Sequence, residues 1–487
     1  MGKPTGFMEY ERAEAEHRPV EERIKDYLEF SLPVPEAKIR EQAARCMDCG
    51  VSFCHAGILL DSGSIGCPLG NLIPEMNDMV YIGDPETAYE RLTRTHPFPE
   101  FTSRVCPALC EGSCTLGEHE PAVTVKNIER FVVDSMYKRG KVLPQSPRIR
   151  TGKRVAVIGS GPAGLSCADL LNKLGNNVTV YERADRPGGL LMYGIPNMKL
   201  DKEVVLNRVR LMEEESVEFV LGTEVGKDIH VFELMNNFDA IVLCGGATAE
   251  RALAVPGGDL NGVHAAVSYL SGATKSLLDS GLKDKNYVTA KGKNVVIVGG
   301  GDTGTDCAAT AVRQGAKSVV QLEIMPCPPK SRTDGNPWPL WPKVLKTDYG
   351  QEEVKKLFGA DPRQYLTTIR TINGRKGKVT SVTTVGVEWL RENGRLLPRE
   401  IAGSEKDIPA DLVLTAMGFT GPERTLIEQL QLETDCRGNV LAKYDGFKTS
   451  LLTVFAAGDM RRGPSLVVWA IREGREAAKE CHKYLNG

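Results

Sequence analysis

The chain has 487 residues, enough for about three domains at roughly 150 residues each, and 61 Lys and Arg stand against 63 Asp and Glu. A net charge of −2 lacks the basic excess of a nucleic-acid binder, so no nucleic-acid partner is expected. With mean hydropathy of −0.23 and the longest apolar runs, such as Val155 to Ile158, far short of a bilayer, no membrane span and no membrane partner are predicted; residues 1–23 lack an apolar leader core, which makes a cytoplasmic location the expectation.

From about Val20 to Lys138 the pattern is helices and loops. Glu36 to Arg45 and Lys126 to Met136 carry apolar residues at helical spacing, and proline and cysteine punctuate the rest. Of the 13 cysteines, Cys46, Cys49, Cys54, Cys67, Cys106, Cys110 and Cys114 fall here. In a reducing compartment such a cluster points to metal or iron–sulfur ligation rather than disulfides. Cys46-x2-Cys49-x4-Cys54 and Cys106-x3-Cys110-x3-Cys114 each supply three thiolates, and Cys67 and Cys106 are each followed by proline, as is the last cysteine of bacterial ferredoxin runs. Zinc sites more commonly pair two CxxC units, and only one is present, so the spacing favours [4Fe–4S] centres. Two such centres need one ligand beyond these seven thiolates.

Lys141 to Lys153 reads as a linker. After it, Val155 to Ile158 is a predicted strand, Ala163 to Leu174 a helix and Val178 to Tyr181 a second strand, a βαβ unit on a parallel sheet. Its turn is Gly159-Ser-Gly161-Pro-Ala-Gly164, and Glu182 ends the second strand about 20 residues on, which completes the dinucleotide fingerprint. The pattern returns with strand Val295 to Val298, loop Gly299-Gly-Gly301-Asp302-Thr303-Gly304, helix Thr303 to Gln314, strand Ser318 to Leu322 and Glu323. Two loops imply two dinucleotides. Asp239 to Gly246 and Asp411 to Gly418 are matching strand-to-glycine segments on either side of the second unit and read as crossovers. The predicted class is therefore α/β: a helical iron–sulfur domain (residues 1–145), then two Rossmann-like dinucleotide-binding domains, the second (286–414) inserted in the first (150–285 plus 415–487).

Near the C-terminus, Val454 to Asp459 ends a strand and Gly463 to Ala470 starts a helix. This resembles the second flavin motif of the disulfide-reductase-like flavoproteins, which implies FAD contacts at Gly458, Asp459 and Leu466, with a helix dipole beside the reduced ring. Arg45-Cys-Met-Asp-Cys-Gly50, Gly66-Cys-Pro-Leu-Gly-Asn71, Arg104-Val-Cys-Pro-Ala-Leu-Cys-Glu-Gly-Ser-Cys114, Gly188-Gly-Leu-Leu-Met-Tyr-Gly-Ile-Pro196 and Ser465-Leu-Val-Val-Trp-Ala470 resemble the glutamate synthase small-subunit family from end to end. The resemblance implies an electron-input subunit. It would oxidise NADH or NADPH and pass electrons through FAD and two [4Fe–4S] clusters to a glutamate synthase large subunit that makes L-glutamate from L-glutamine and 2-oxoglutarate. It also implies interleaved ligands: Cys46, Cys49, Cys54 and Cys114 for one cluster, Cys67, Cys106 and Cys110 for the other. In the related dihydropyrimidine dehydrogenase a glutamine is the eighth ligand, and Glu129 stands at the matching position, with His55 as its competitor. No cysteine precedes Cys46, so an N-terminal amidotransferase nucleophile is expected on the partner.

A carboxylate at Glu323 favours a ribose 2′-hydroxyl over a 2′-phosphate, which points to NADH; Gly335 to Pro342 also resembles the eukaryotic NADH-dependent enzymes more closely. Lys330 and Arg332 would have to fold back to accept NADPH. The alternatives are a related ferredoxin- or sulfide-linked NAD(P)H flavoprotein oxidoreductase, which differs in its terminal partner, and a scaffold using nucleotides only structurally.

Overall fold

The computed structural model describes residues 2–61, 63–392, 394–443 and 445–487. In the N-terminal domain, helices Glu36–Ala44, Ile73–Ile82, Pro85–Thr93, Pro99–Val105 and Val125–Lys138 pack around Ile39, Met76, Leu92, Ile128 and Val132. Local chemistry sets the boundaries. Gly83, left-handed at φ 87, closes one helix, and Asp84 opens the next by accepting the Thr87 N–H at 3.0 Å, with Pro85 in the first turn. Helix Val125–Lys138 buries Val125, Ile128, Glu129, Val132 and Val133, so Glu129 shares the apolar face. A hairpin, Ile58–Leu60 with Gly63–Ile65, interrupts the predicted helix-and-loop pattern.

The first nucleotide unit is a parallel five-stranded sheet in the order Val454–Ala456, Ala240–Leu243, Arg154–Ile158, Asn177–Tyr181, Glu218–Val220. Val155 to Ile158 are buried, as a strand covered on both faces requires. Helix Pro162–Lys173 lies against the C-terminal helix Val467–Asn486, close enough that a Cβ at Gly474 would fall 2.1 Å from the Ala163 carbonyl oxygen. The second unit is also parallel, in the order Arg363–Tyr365, Ser318–Glu323, Asn294–Val298, Leu412–Thr415, Val263–Ala265.

Val263–Ala265 corrects the boundary expected at residue 285. It pairs with Leu412–Thr415, and the helix after it, Ala266–Ser280, puts Tyr269 and Leu270 into the second core. The chain crosses between sheets where Ala249–Glu250 pairs antiparallel with Phe419–Gly421. A three-residue edge strand gives no periodicity from which to place the crossing. Antiparallel strands Thr367–Arg375, Lys378–Glu392, Arg395–Glu400 and Lys406–Pro409 flank the second unit.

Two segments tie the domains together. Arg23, buried, reaches Glu353 through Nε at 2.8 Å, and Glu353 also pairs with Arg313. Residues 332–342 run back onto the cysteine domain: Arg332 Nη2 donates to Gly112 O at 2.6 Å, Ser113 Oγ to Pro339 O at 2.7 Å and Trp338 Nε1 to Cys114 O at 3.1 Å.

Candidate cofactor sites

The two glycine loops have one construction. Gly159 (φ 99) and Gly299 (φ 124) leave the strand in a conformation that favours glycine, and a Cβ there would lie 2.6 Å from Cys244 O or 2.2 Å from Ala416 O. Gly164 and Gly304 seat the helix against its own loop: a Cβ would meet Gly159 O at 1.8 Å or Gly299 O at 2.3 Å. Between them, Gly161 and Gly301 have nothing within 4 Å of a Cβ position. That open space faces the first turns of helices Pro162–Lys173 and Asp302–Arg313, where backbone N–H groups lack intrahelical acceptors. A pyrophosphate fits such a cradle. Asp302, Thr303 and Gly304 form the first turn of the second helix.

The two acids are anchored alike. Glu182 Oε2 accepts the Ser160 N–H at 3.0 Å, and Oε1 accepts the Ala184 N–H at 2.8 Å. Glu323 Oε2 accepts the Gly300 N–H and Oε1 the Met325 N–H, both at 2.8 Å. Each carboxylate is thus fixed at the end of its second strand beside the loop, where a ribose hydroxyl is read. Arg332 is engaged elsewhere, on Gly112 O and Leu340 O at 2.6 Å, while Lys330 is exposed.

Gly458 (φ 68) turns the chain out of its strand, and its N–H reaches the buried Glu473 at 3.0 Å. Asp459 opens a short helical turn and accepts from Ser465 Oγ at 2.7 Å. Burial pushes its carboxyl up to about 6. Leu466 is the N-cap of helix Val467–Asn486.

The structure brings Cys46, Cys49, Cys54 and Cys114 together around one space, and Cys67, Cys106, Cys110 and Glu129 around another. Asp48 (φ 50), between Cys46 and Cys49, and Ala108 (φ 64), between Cys106 and Cys110, are left-handed residues within these two cysteine loops, a sparsely populated conformation that clusters at functional sites. No three His, Cys, Asp or Glu side chains among the described residues converge as they would on a single ion. The thiols ring each space instead, which suits a centre broader than one metal with bonds of about 2.3 Å. Burial raises the thiols of Cys46, Cys54, Cys67 and Cys114, that of Cys106 to about 11 and that of Cys110 well above the usual range; bound metal deprotonates such ligands.

Glu129 is buried on the wall of the Cys67 space and takes a short hydrogen bond from Thr102. His55 lines neither space, and its Nδ1 donates to Asn71 O at 2.9 Å. Sequence reasoning missed His96 and Thr102. His96 Nδ1 accepts the Phe98 N–H at 3.3 Å, so Nε2 carries the proton toward Thr102 Oγ1 at 2.6 Å; no motif marks this histidine. Ile73 is shared by both walls, and Val468, two residues after Leu466, lines the Cys67 space.

A cysteine-ringed helical domain joined to two dinucleotide units defines an iron–sulfur pyridine-nucleotide oxidoreductase. Residues 23–141 match the family described as dihydropyrimidine dehydrogenase domain II, 4Fe-4S cluster, and residues 153–337 and 349–474 match pyridine nucleotide-disulphide oxidoreductase. The glutamate synthase [NADPH] small chain of Bacillus subtilis is 50% identical, over 100% of this chain and 99% of that one. Glutamate synthase [NADH] of Schizosaccharomyces pombe is 47% identical over 100% of this chain, which spans 23% of that longer protein. The chain belongs to the glutamate synthase small-chain family. Among solved structures, Mycobacterium tuberculosis FprA in complex with NADPH covers 69% of this chain and 84% of its own at 20% identity and TM-score 0.53, a likeness of fold. No helix among the described residues is long and apolar enough to cross a membrane.

Proposed function

We propose that the chain is the electron-input subunit of a cytoplasmic glutamate synthase, oxidising NAD(P)H and delivering electrons through FAD and two [4Fe–4S] centres to a large subunit that forms L-glutamate from L-glutamine and 2-oxoglutarate. Bound FAD supplies the conversion between a two-electron hydride donor and one-electron acceptors. The chain's own residues bind and orient. The Gly161 loop and helix Pro162–Lys173 hold one pyrophosphate, with Glu182 on its ribose and Asp459 and the Leu466 helix start near the flavin. The Gly301 loop, Asp302 to Gly304 and Glu323 hold the nicotinamide nucleotide. Cys67, Cys106, Cys110 and Glu129 serve the inner centre, and Cys46, Cys49, Cys54 and Cys114 the outer one.

The observation that carries the order is the placing of Val468 on the Cys67 space, with Ile73 the wall between the two spaces. The inner space therefore adjoins the flavin motif. Cys49, Cys54 and Cys114 are half-buried, whereas Cys67, Cys106 and Cys110 are buried, so the outer centre is nearer the surface. Anaerobic addition of NADH or NADPH to the reconstituted chain should bleach the flavin absorbance and then generate cluster EPR signals, and adding the large subunit should yield glutamate. A chain without FAD or iron after reconstitution refutes the reading.

A further inference from the structure

The two cysteine-ringed spaces differ in charge. Lys126 and Glu129 both line the inner one, and their charges oppose each other. The outer one has no carboxylate among its lining residues. Beside it stands Arg45, 1% exposed, whose Nη1 and Nη2 donate to the Ala122 and Pro121 carbonyls at 3.1 and 2.6 Å. Its Nε has no hydrogen-bond partner, and no carboxylate among the described residues lies at ion-pair distance from it. A buried cation with no anion in direct contact is unfavourable. The charged and titratable groups within its electrostatic reach are Arg12, Cys114 of the outer ring and Glu120.

Asn77 supplies a second and independent observation. It projects from helix Ile73–Ile82, is fully buried and lines the outer space against Cys46. Its carboxamide faces the Cys46 sulfur, toward which it acts as a donor, and neither Nδ2 nor Oδ1 meets any other hydrogen-bond partner. Buried carboxamides are normally fully satisfied; this one has only the Cys46 sulfur before it, which a bound centre would turn into a thiolate acceptor.

We propose that Arg45 and Asn77 poise the outer centre electrostatically, as a fixed cation and an N–H···S donor that raise its affinity for an electron above that of the inner centre. The proposal rests on the iron–sulfur reading above. Reduction adds one electron, and so one negative charge, to the centre without making or breaking a covalent bond. The electron comes from NAD(P)H by way of the flavin in turnover and from dithionite in a titration. A nearby positive charge and a donor to sulfur stabilise the added charge. An electron entering from the flavin side would then settle on the outer, half-buried centre.

The test is an EPR-monitored redox titration of the full chain, reconstituted anaerobically, with the outer centre identified as the signal lost in Cys46→Ser. At a fixed potential the reduced-to-oxidised ratio of that centre should fall about tenfold in Asn77→Leu, equivalent to about 59 mV for one electron. It should fall at least as far in Arg45→Gln and stay near the parent value in Arg45→Lys. Should Asn77→Leu fail to hold iron, the nearly isosteric Asn77→Asp carries the test, with a larger fall expected because it adds a negative charge. Ratios within twofold of the parent at full iron content in Asn77→Leu, or in Asn77→Asp in its place, and in Arg45→Gln would overturn the proposal alone. An unsubstituted chain that takes up no iron would overturn the reading beneath it.

Discussion

Cys67 donates its backbone N–H to the Cys54 carbonyl at 2.7 Å, so a thiol of the inner space is bonded through the main chain to a thiol-bearing residue of the outer one. Gly66, at φ 67, makes this approach possible: a Cβ there would fall 2.1 Å from the Phe53 carbonyl oxygen.

Iron content is expected to follow the two rings separately. The parent chain should bind about eight irons as two [4Fe–4S] centres, and Cys46→Ser and Cys67→Ser should each lose about half. Iron and sulfide analysis with EPR after anaerobic reconstitution checks this, and stoichiometric zinc without iron contradicts it.

Two glycines of the first loop should fail in different ways. Gly161, at φ −65 with open space around it, accepts a side chain without a clash. Gly161→Val is expected to fold within about 0.5 kcal/mol of the parent yet to purify colourless, because the side chain fills the pyrophosphate cradle. Gly164→Ala places its methyl against Gly159 O and should cost about 1–3 kcal/mol of stability. Denaturant melts and flavin extraction separate the two results; full FAD occupancy in Gly161→Val would refute the assigned cradle.

For nucleotide choice, Glu323 is held at the strand end by two backbone N–H groups and Arg332 by two carbonyls, so a carboxylate stands where a bound nucleotide's ribose would lie and one candidate cation is committed elsewhere. The chain should show the higher kcat/KM with NADH, and Glu323→Arg should move the ratio toward NADPH. Steady-state reduction of an artificial acceptor with both nucleotides measures it, and an unchanged ratio would show that Glu323 does not read the ribose.

Asp459 gives a pH dependence. Its carboxyl titrates at 3.8 unfolded and about 6 folded, so between these values the folded state binds more protons and stability falls as pH rises. The cost is absent below the lower value and complete above the upper. Asp459→Asn should therefore stabilise flavin-free protein above pH 6, by at most about 3 kcal/mol, with little gain near pH 4. Melts at the two pH values check this, and a gain confined to acid would reverse the argument.

The parallel units were legible because glycine placement, buried β-branched runs and a terminal acid are local features of the chain. Each predicted strand and helix of the two βαβ units falls within a residue or two of the observed element, from Arg154–Ile158 to Ser318–Glu323. Glu129 was singled out by family resemblance alone; its burial, which follows from its position four residues after Val125 and three before Val132 on the apolar face, was not read from the sequence. The edge strand Val263–Ala265 was not, because three residues define no period. The antiparallel strands from 367 to 409 were passed over although Lys378–Glu392 is rich in Val and Thr. Arg45 and Asn77 gave no signal as charges or donors, since their meaning depends on missing partners, which only packing reveals.

The strap from Arg332 to Pro342 sets an order on biogenesis. Arg332 is made 220 residues after Gly112, the residue whose carbonyl it grips. At about 5–20 residues per second, the ribosome takes roughly 10 to 45 s to reach the strap after the cysteine loop is complete. During that interval the nascent domain has all seven thiols and no cover over residues 112–114. Trp341 and Pro342 then close on Gly112, where even a methyl group would lie within 2.7 Å of both, so the cysteine loop acquires its last packing partners only when the second nucleotide unit is being made.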